Sequence, residues 1–547
     1  MTRAPRRSLP SQSSAAAGGT GGADARGAEA REPDAAGRTA RDLFLLVLIA
    51  APIVLVGTLS YFTGHFGPLI DGVDYAQIAR NFLEGRPFVS DVALPVSIAF
   101  PFGRSLPQPL IYRPPVFPVA LAPFLALIGP TDHAVIAAGV AFALLAGVAT
   151  YVFGRAVGGR ALGLCSAAVV MLHTGLWSEA GHGNAEPLAV ALVALLLALL
   201  VTRRAGWAGF VLGVLVLTKA HLLALIPALF IPAWLRGSGR WRDLVRFGAG
   251  ALVAVAPWAA RNLVVTGRPF FDLHTYTEAQ QARSRAPVFE FHRRTEVVSA
   301  QTIVRSDPTR VLDRAGGKLL MNARRMPAYI GWGAITLFGL AVCAPAPAGP
   351  RRDVRRVALA AVGSLGLLLA PTAMIPRYFL PLLPIVAVGG LDAIARLIAR
   401  LPALTRAVPA AAAALLIAWP AGARLAGATG RLSRGELGEF RAPTTETLRA
   451  QTAATDIVVS DDLSIAWYAH RRVVWLPWDA ASLRALDAAI PIDAVYLRQT
   501  ADRIRYYLGD ETRDAIVAFV RDECEPGVAE PDGSGLLFRR RRAEAAR

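Results

Sequence analysis

A few ionisable residues stand at the edges of strongly apolar stretches, and they are where chemistry would be sought first. Asp71-Gly72-Val73-Asp74-Tyr75 opens a stretch whose apolar positions Tyr75, Ile78, Ala79, Phe82 and Leu83 share one helical face. A carboxylate at such a helix start is favoured by the helix dipole and can cap it, or it can act on a substrate. Tyr112-Arg113-Pro114-Pro115 puts a cation before a kinked segment, either as a snorkelling arginine or as an anion ligand. Glu186-Pro187 opens an apolar helix, with proline suited to the first turn. Its carboxylate either caps that helix or serves a function that justifies its cost at a membrane boundary. Thr218-Lys219-Ala220-His221 interrupts another apolar run, where a lysine needs an anion close by. Arg261-Asn262 and Arg377-Tyr378 lie at ends of further runs. Lipid headgroups would explain such cations, and so would a bound phosphate. His173 and His182 have no metal-site spacing.

The elements that must hold these residues are membrane helices. Of 547 residues, 54% are hydrophobic and only 18% charged. The apolar residues gather in blocks near the roughly 20 residues that a spanning helix needs. We read about eleven spans, at 43–62, 133–153, 161–178, 185–202, 206–218, 219–235, 248–265, 328–346, 357–375, 377–397 and 407–427. The net charge of +18 would suggest nucleic acid in a soluble chain. Here the basic residues punctuate apolar spans and form no single face, so they set topology and no nucleic-acid partner is expected.

Arg3, Arg6, Arg7 and Arg41 precede the first span and predict a cytoplasmic N-terminus. Arg155 and Arg160, Arg203 and Arg204, the arginines at 236–246, those at 351–356, and Arg396, Arg400 and Arg406 then all fall inside. This requires that 115–130, short and interrupted by Pro118 and Pro123, does not cross but lies in the outer leaflet. The resulting domains are a disordered cytoplasmic tail (1–42), a transmembrane domain (43–427) with a large first outer loop (63–132), and a C-terminal extracytoplasmic domain (428–547). Further outer loops fall at 179–184 and 266–327. In the C-terminal part, runs at 456–460, 471–477 and 493–498 predict strands and 500–522 a helix, giving a small α/β domain. Cys165, Cys343 and Cys524 show no disulfide or metal spacing.

Taken in order, these motifs resemble the GT-C superfamily of membrane glycosyltransferases. The nearest likeness is to its family 39-like branch of protein mannosyltransferases and aminoarabinose transferases. The resemblance covers about residues 43–400. It rests on the carboxylate-led helix, the R-P-P break, Glu186-Pro187, Thr218-Lys219, the run from Pro257 to Gly267 and Arg377-Tyr378-Phe379-Leu380-Pro381. The fold it implies is an α-helical polytopic GT-C-like protein with a small outer α/β domain. The implied activity is inverting transfer of a sugar from a polyprenyl-phosphate donor to an envelope lipid, glycan or protein acceptor. The implied setting is the outer face of a bacterial plasma membrane.

Under that resemblance, Asp71, four residues before Tyr75, matches the catalytic aspartate, and Asp74 is a second candidate. Glu186 matches a second acidic position. Lys219 and Arg377 match phosphate contacts; Arg113, Arg261, Tyr75 and Tyr378 complete the expected substrate-binding set. Cations at the departing phosphate oxygens stabilise the charge that develops there. A carboxylate within reach of the acceptor hydroxyl takes its proton. No cofactor is expected and no metal set is evident, though a divalent metal is left open. Expected partners are the lipid-linked donor, membrane lipids and the envelope acceptor. The competing reading is a transporter or lipid flippase, against which stand the outer placement of the charges and the lack of an internal repeat.

Overall fold

Strings of Ala, Val and Leu without internal charge favour helix and bury against one another, and these strings become the helical body. The computed structural model describes residues 41–42, 44–51, 54–55, 70–225, 240–283, 292–345, 349–369, 376–402, 443–498 and 510–541, with isolated residues elsewhere. The chain divides into two units, Met1–Leu45 and Leu46–Arg547, and all that follows concerns the second. The expected tail 1–42 and the expected span 407–427 lie almost wholly outside the described residues, as do half of the expected span 43–62, most of 219–235 and all of 499–509.

The expected first outer loop (63–132) supplies α1 (Ile70–Leu83) and α2 (Val116–Ile128). There follow α3 (Asp132–Gly158), α4 (Arg160–Met171), α5 (Thr174–Gly181), α6 (Glu186–Val201), α7 (Ala205–Val216) and α8 (Arg240–Thr266). After these come α9 (Pro308–Ile330), α10 (Trp332–Cys343), α11 (Pro350–Leu369) and α12 (Leu383–Ala399). Helix α3 packs along α4 and α6, α7 along α6 and α8, and α12 along α10 and α4. Their shared core is built of residues such as Phe153, Met171, Leu196, Leu215 and Leu380.

Among the described residues three helices are long and apolar enough to cross a membrane: α3, Trp241–Thr266 and Pro376–Ala399. Two bent pairs, α4 with α5 (53°) and α9 with α10 (112°), would bring the number to five. Helix α2 has 13 residues. At 1.5 Å per residue that is about 20 Å, short of the roughly 30 Å of a bilayer core. The expected outer loop 266–327 is in large part helical: α9 starts inside it, with an amphipathic pattern in place of an apolar one.

Residues 443–541 build a sheet whose strands read as continuous β-branched runs, as parallel strands covered on both faces must. Strands β1 (Val89–Ser90) and β3 (Gln108–Pro109) form a separate antiparallel pair. The larger sheet has the order β2-β5-β4-β6-β8-β7, with β2 (Val92–Ala93), β4 (Ile457–Ser460), β5 (Arg472–Trp475), β6 (Ala494–Leu497), β7 (Val528–Ala529) and β8 (Leu536–Arg539). Strand β2 comes from the segment between α1 and α2 and pairs in parallel with β5, Val92 opposite Val473. The sheet is therefore not made by the C-terminal residues alone. One face packs on α14 (Ala480–Ala489) and α15 (Asp510–Glu523). The other packs on Ile111, Tyr112, Phe271 and Leu273 of the outer loops.

A short helix, α13 (Ile465–Tyr468), ties this sheet to the helical body. Trp467 Nε1 and the Tyr468 hydroxyl donate to the two carboxylate oxygens of Asp132 at the start of α3, at 2.9 and 3.0 Å. Arg80 of α1 donates to the Trp467 and Ala466 carbonyls at 3.2 and 3.1 Å.

Candidate active site

Helix α1 carries Asp71 and Asp74 one turn apart, on the side facing Arg113. What lets α1 come close enough to the rest is Gly72. A Cβ there would sit 2.1 Å from the His182 carbonyl oxygen and 3.2 Å from the Gly183 Cα. Backbone lies on backbone at this point, so the first turn of α1 rests on the turn at His182–Gly183 between α5 and α6.

Arg113 bridges the two aspartates. Its Nε donates to Asp74 Oδ2 and its Nη2 to Asp71 Oδ1, each at 2.7 Å. Asp74 is buried, and it also accepts from the Tyr112 hydroxyl and from Gln77 Nε2 at 3.1 Å. Asp71 keeps 21% of its side chain exposed and turns its second oxygen to Arg377 Nη2 at 2.5 Å. Arg377 in turn lies 3.5 Å from Glu186 Oε1 and 3.8 Å from Glu179 Oε2. Lys219 Nζ donates to the same Glu186 oxygen at 2.5 Å. Glu186 does not cap its helix; its carboxylate goes wholly to this network, and Oε2 is buried without a hydrogen-bond partner.

Burial alone would raise the Asp71 carboxyl, but Arg113, Arg377 and Lys219 together hold it well below the usual carboxylate range. Tyr75 and Tyr378 flank the cations. The Arg113 guanidinium lies 5.1 Å from the Tyr75 ring, while Lys219 and Arg377 lie 5.8 and 5.9 Å from that of Tyr378. Five elements thus converge: α1, the 112–113 segment, the α5–α6 region, and the breaks around 219 and 377.

Arg261 stands apart from this convergence. Its guanidinium donates to the carbonyls of Leu110 (2.8 Å) and Phe88 (3.0 Å) and lies over Trp258. Arg261, expected from the sequence among the substrate-binding residues, here holds the segment from Phe88 to Leu110. Among the described residues, no group of three His, Cys, Asp or Glu side chains is arranged to hold a metal.

Several residues in or beside the site were not singled out by sequence. Glu179 accepts from the Tyr329 hydroxyl at the end of α9 and from Asn184 Nδ2 at 2.5 Å. His221 stacks on Tyr378 with ring centroids 4.3 Å apart, and its Nε2 is buried without a hydrogen-bond partner. Toward the sheet a row of rings runs from Tyr112 through His274 and His292 to Trp475 of β5, at centroid spacings of 6.2, 5.9 and 5.6 Å. Burial, with help from Arg113, pushes His274 down to about 3, so it stands neutral beside the charge network. The only sequence signal for Glu179 was its place in an outer loop; for His221 it was the interrupted helix it shares with Lys219.

The fold is that of the GT-C membrane glycosyltransferases. ArnT from Cupriavidus metallidurans, solved bound to undecaprenyl phosphate, superposes with a TM-score of 0.56 at 16% identity, over 90% of this chain and 97% of that one. The oligosaccharyltransferase of Archaeoglobus fulgidus superposes with a TM-score of 0.56 at 11% identity, over 91% of this chain and 73% of that one. Residues 111–302 match glycosyltransferase family 87, a stretch that holds Arg113, Glu186 and Lys219. No curated protein is similar in sequence. The fold is thus shared with membrane glycosyltransferases, and about a third of the chain matches a glycosyltransferase family.

Proposed function

We propose that the protein transfers a sugar from a polyprenyl-phosphate donor to a hydroxyl of an envelope acceptor, at the outer face of a bacterial plasma membrane and with inversion. Its N-terminus is then cytoplasmic and its C-terminal sheet extracytoplasmic. The observation that carries this reading is the joining of Asp71 to Glu186 through Arg377, with Lys219 on the same Glu186 oxygen. The bound undecaprenyl phosphate of ArnT, a protein of the same fold, supports the choice of donor.

In this reading the donor phosphate settles against Arg377 and Lys219. The acceptor oxygen attacks the anomeric carbon as the bond from that carbon to the phosphate oxygen breaks, and polyprenyl phosphate departs with the electron pair. Cations already fixed at the departing oxygens stabilise that charge without reorganising. Asp71 takes the acceptor proton. Unliganded, Asp71 is a weak base, because three cations lower its proton affinity. A phosphate drawing on Arg377 and Lys219 restores that affinity, so donor binding prepares the base. Asp74, fully hydrogen-bonded, fixes Arg113 and Tyr112.

Deletion of the gene, followed by mass spectrometry of lipid-linked sugars and envelope glycans, tests this. One polyprenyl-phosphate sugar should accumulate while one glycan loses a residue. Unchanged glycans would overturn the proposal. Loss of every glycan built on that donor would favour the rival reading, a flippase.

A further inference from the structure

Helix α9 has no role in the chemistry above except at its last turn. It spans 23 residues, starts on an Asp307 side chain that accepts from the Arg310 amide at 3.0 Å, and buries only Asn322. At 100° per residue, Leu312, Leu319 and Ala323 fall in one narrow stripe with Leu320 at its border. This apolar stripe is not turned to the protein: Leu312 is 71% exposed, Leu320 54% and Leu319 38%. The opposite half carries Arg310, Arg314, Lys318, Arg324 and Arg325, against a single acidic residue, Asp313.

The chain then turns sharply. Gly331, at φ 85°, ends α9, and α10 leaves at 112° to it. Helix α10 is apolar, and its first residue Trp332 is 67% exposed, as a headgroup-level tryptophan would be. A helix at that angle to a segment entering the bilayer runs close to the membrane plane. Exposed leucines on one side, a cationic row on the other and a perpendicular apolar successor are the features of an interfacial helix.

We infer that α9 lies in the membrane interface on the side of the active site, with its leucine stripe in the acyl boundary and its cations on anionic lipid headgroups. The occupant of this face is the bilayer and not a protein. The inference rests on the chain spanning a membrane and not on the transfer reaction. It does bear on the site, because the helix ends there. The Tyr329 hydroxyl donates to Glu179, the Ile330 carbonyl oxygen lies 2.7 Å from His173 Nε2, and Glu179 is a neighbour of Arg377. Membrane contact along α9 is thus anchored one hydrogen bond from the charge network.

The test uses the full chain in vesicles, with the exposed Cys165 and Cys343 changed to serine. Spin labels go on Leu312→Cys, Leu319→Cys, Arg310→Cys and Arg324→Cys, in phosphatidylcholine with and without phosphatidylglycerol. Labels at 312 and 319 should favour oxygen over a water-soluble nickel chelate, and those at 310 and 324 the reverse. Phosphatidylglycerol should raise the oxygen-to-nickel ratio at 319 severalfold, and Arg324→Gln with Arg325→Gln should remove most of that rise. Equal nickel access on both faces overturns the inference. So does a ratio indifferent to phosphatidylglycerol, and so does spin–spin broadening that shows a second copy on the stripe. Glycan profiles of the Arg324→Gln/Arg325→Gln strain keep this test apart from that of the reaction, since the labels read depth whether or not sugar is transferred.

Discussion

Asp71 and Asp74 stand one turn apart on the same helix and share Arg113, yet their surroundings differ in kind. Asp74 is buried and holds Tyr112, Arg113 and Gln77, all from the outer-loop region itself. Asp71 is partly open and shared between Arg113 and Arg377, which lie 264 residues apart in sequence. One carboxylate is locked by local partners; the other is held by cations that an incoming phosphate can claim. A carboxylate that must change its proton affinity during a reaction belongs in the second setting.

The largest expected effect separates the two. Asp71→Asn keeps the shape of the side chain and leaves Arg113 on Asp74 and Arg377 on Glu186, so the protein should still fold and insert, with Tm lowered only by the lost ion pairs of Asp71. Transfer should fall by about 10²–10⁴, the usual worth of a positioned proton acceptor. Asp74→Asn should also reduce transfer, but with a loss of about 1–3 kcal/mol of stability, because an amide nitrogen faces hydrogen-bond donors in a buried site. Turnover and Tm measured on both variants decide. If Asp74→Asn kills transfer at unchanged Tm while Asp71→Asn does not, the roles are reversed.

Next in size is the cation side. Arg377→Gln removes the link between Asp71 and the Glu186 pair and leaves carboxylates crowded without their guanidinium. Transfer should drop by about 10²–10³, as when an electrostatic stabiliser of the transition state is lost. Arg261→Gln should do far less to turnover in a protein that still folds, since Arg261 serves the Leu110 and Phe88 carbonyls. Equal kinetic losses in the two arginine variants would put Arg261 back among the substrate contacts.

The unequal fate of these arginines shows what the sequence could carry. A charge at the edge of an apolar run is costly enough to be conspicuous, and that is why Asp71, Arg113, Glu186, Lys219 and Arg377 could be picked out. What such a charge pairs with is a long-range fact. Nothing local distinguishes an arginine bound for a carboxylate from one bound for a carbonyl, so Arg261 looked like the others. Glu179 went unremarked because its partner Tyr329 lies 150 residues away. Likewise β2 is two residues long, too short for any alternation to register; it is a strand only because β5 is there to pair with it. Helix α9 was missed for another reason: span detection looks for continuous apolarity, and α9 is apolar on one face.

A smaller effect is expected at Gly72, which sets how near Asp71 comes to the second carboxylate group. In Gly72→Ala the new Cβ would meet the His182 carbonyl oxygen at 2.1 Å, and backbone must move to relieve it. The first turn of α1 should lift, lengthening the contact of Asp71 with Arg377 more than that of Asp74 with its neighbours. Transfer should fall about tenfold or more, with stability lowered by about 1–3 kcal/mol as in other overpacked sites. A variant with full activity would mean that the Asp71–Arg377 pair is not needed at this distance.

The smallest effect concerns a third carboxylate, which serves as a control for the first two. Asp272 is displaced by burial to about 6; Arg113 lowers it only weakly, and the His274 amide donates to it at 2.9 Å. Burial acts on Asp71 in the same direction, but there the cations reverse it. The sign of the linkage therefore differs. For Asp272 the folded value lies above the unfolded one, so its contribution is complete below about 3.9, the unfolded aspartate value, and is lost as pH rises through about 6. For Asp71 the folded value lies below the unfolded one, so its contribution is present above about 3.9 and is lost as pH falls through the depressed value. Asp272→Asn should thus raise Tm at neutral pH and flatten the pH dependence between about 4 and 6. Asp71→Asn should leave that interval unchanged and alter only the acid limb below it. Tm measured against pH for the two variants reads both windows in one experiment. A flattened acid limb in Asp272→Asn would mean that Arg113 pairs with Asp272 as it does with Asp71, and that the contrast between paired and unpaired carboxylates around this arginine does not hold.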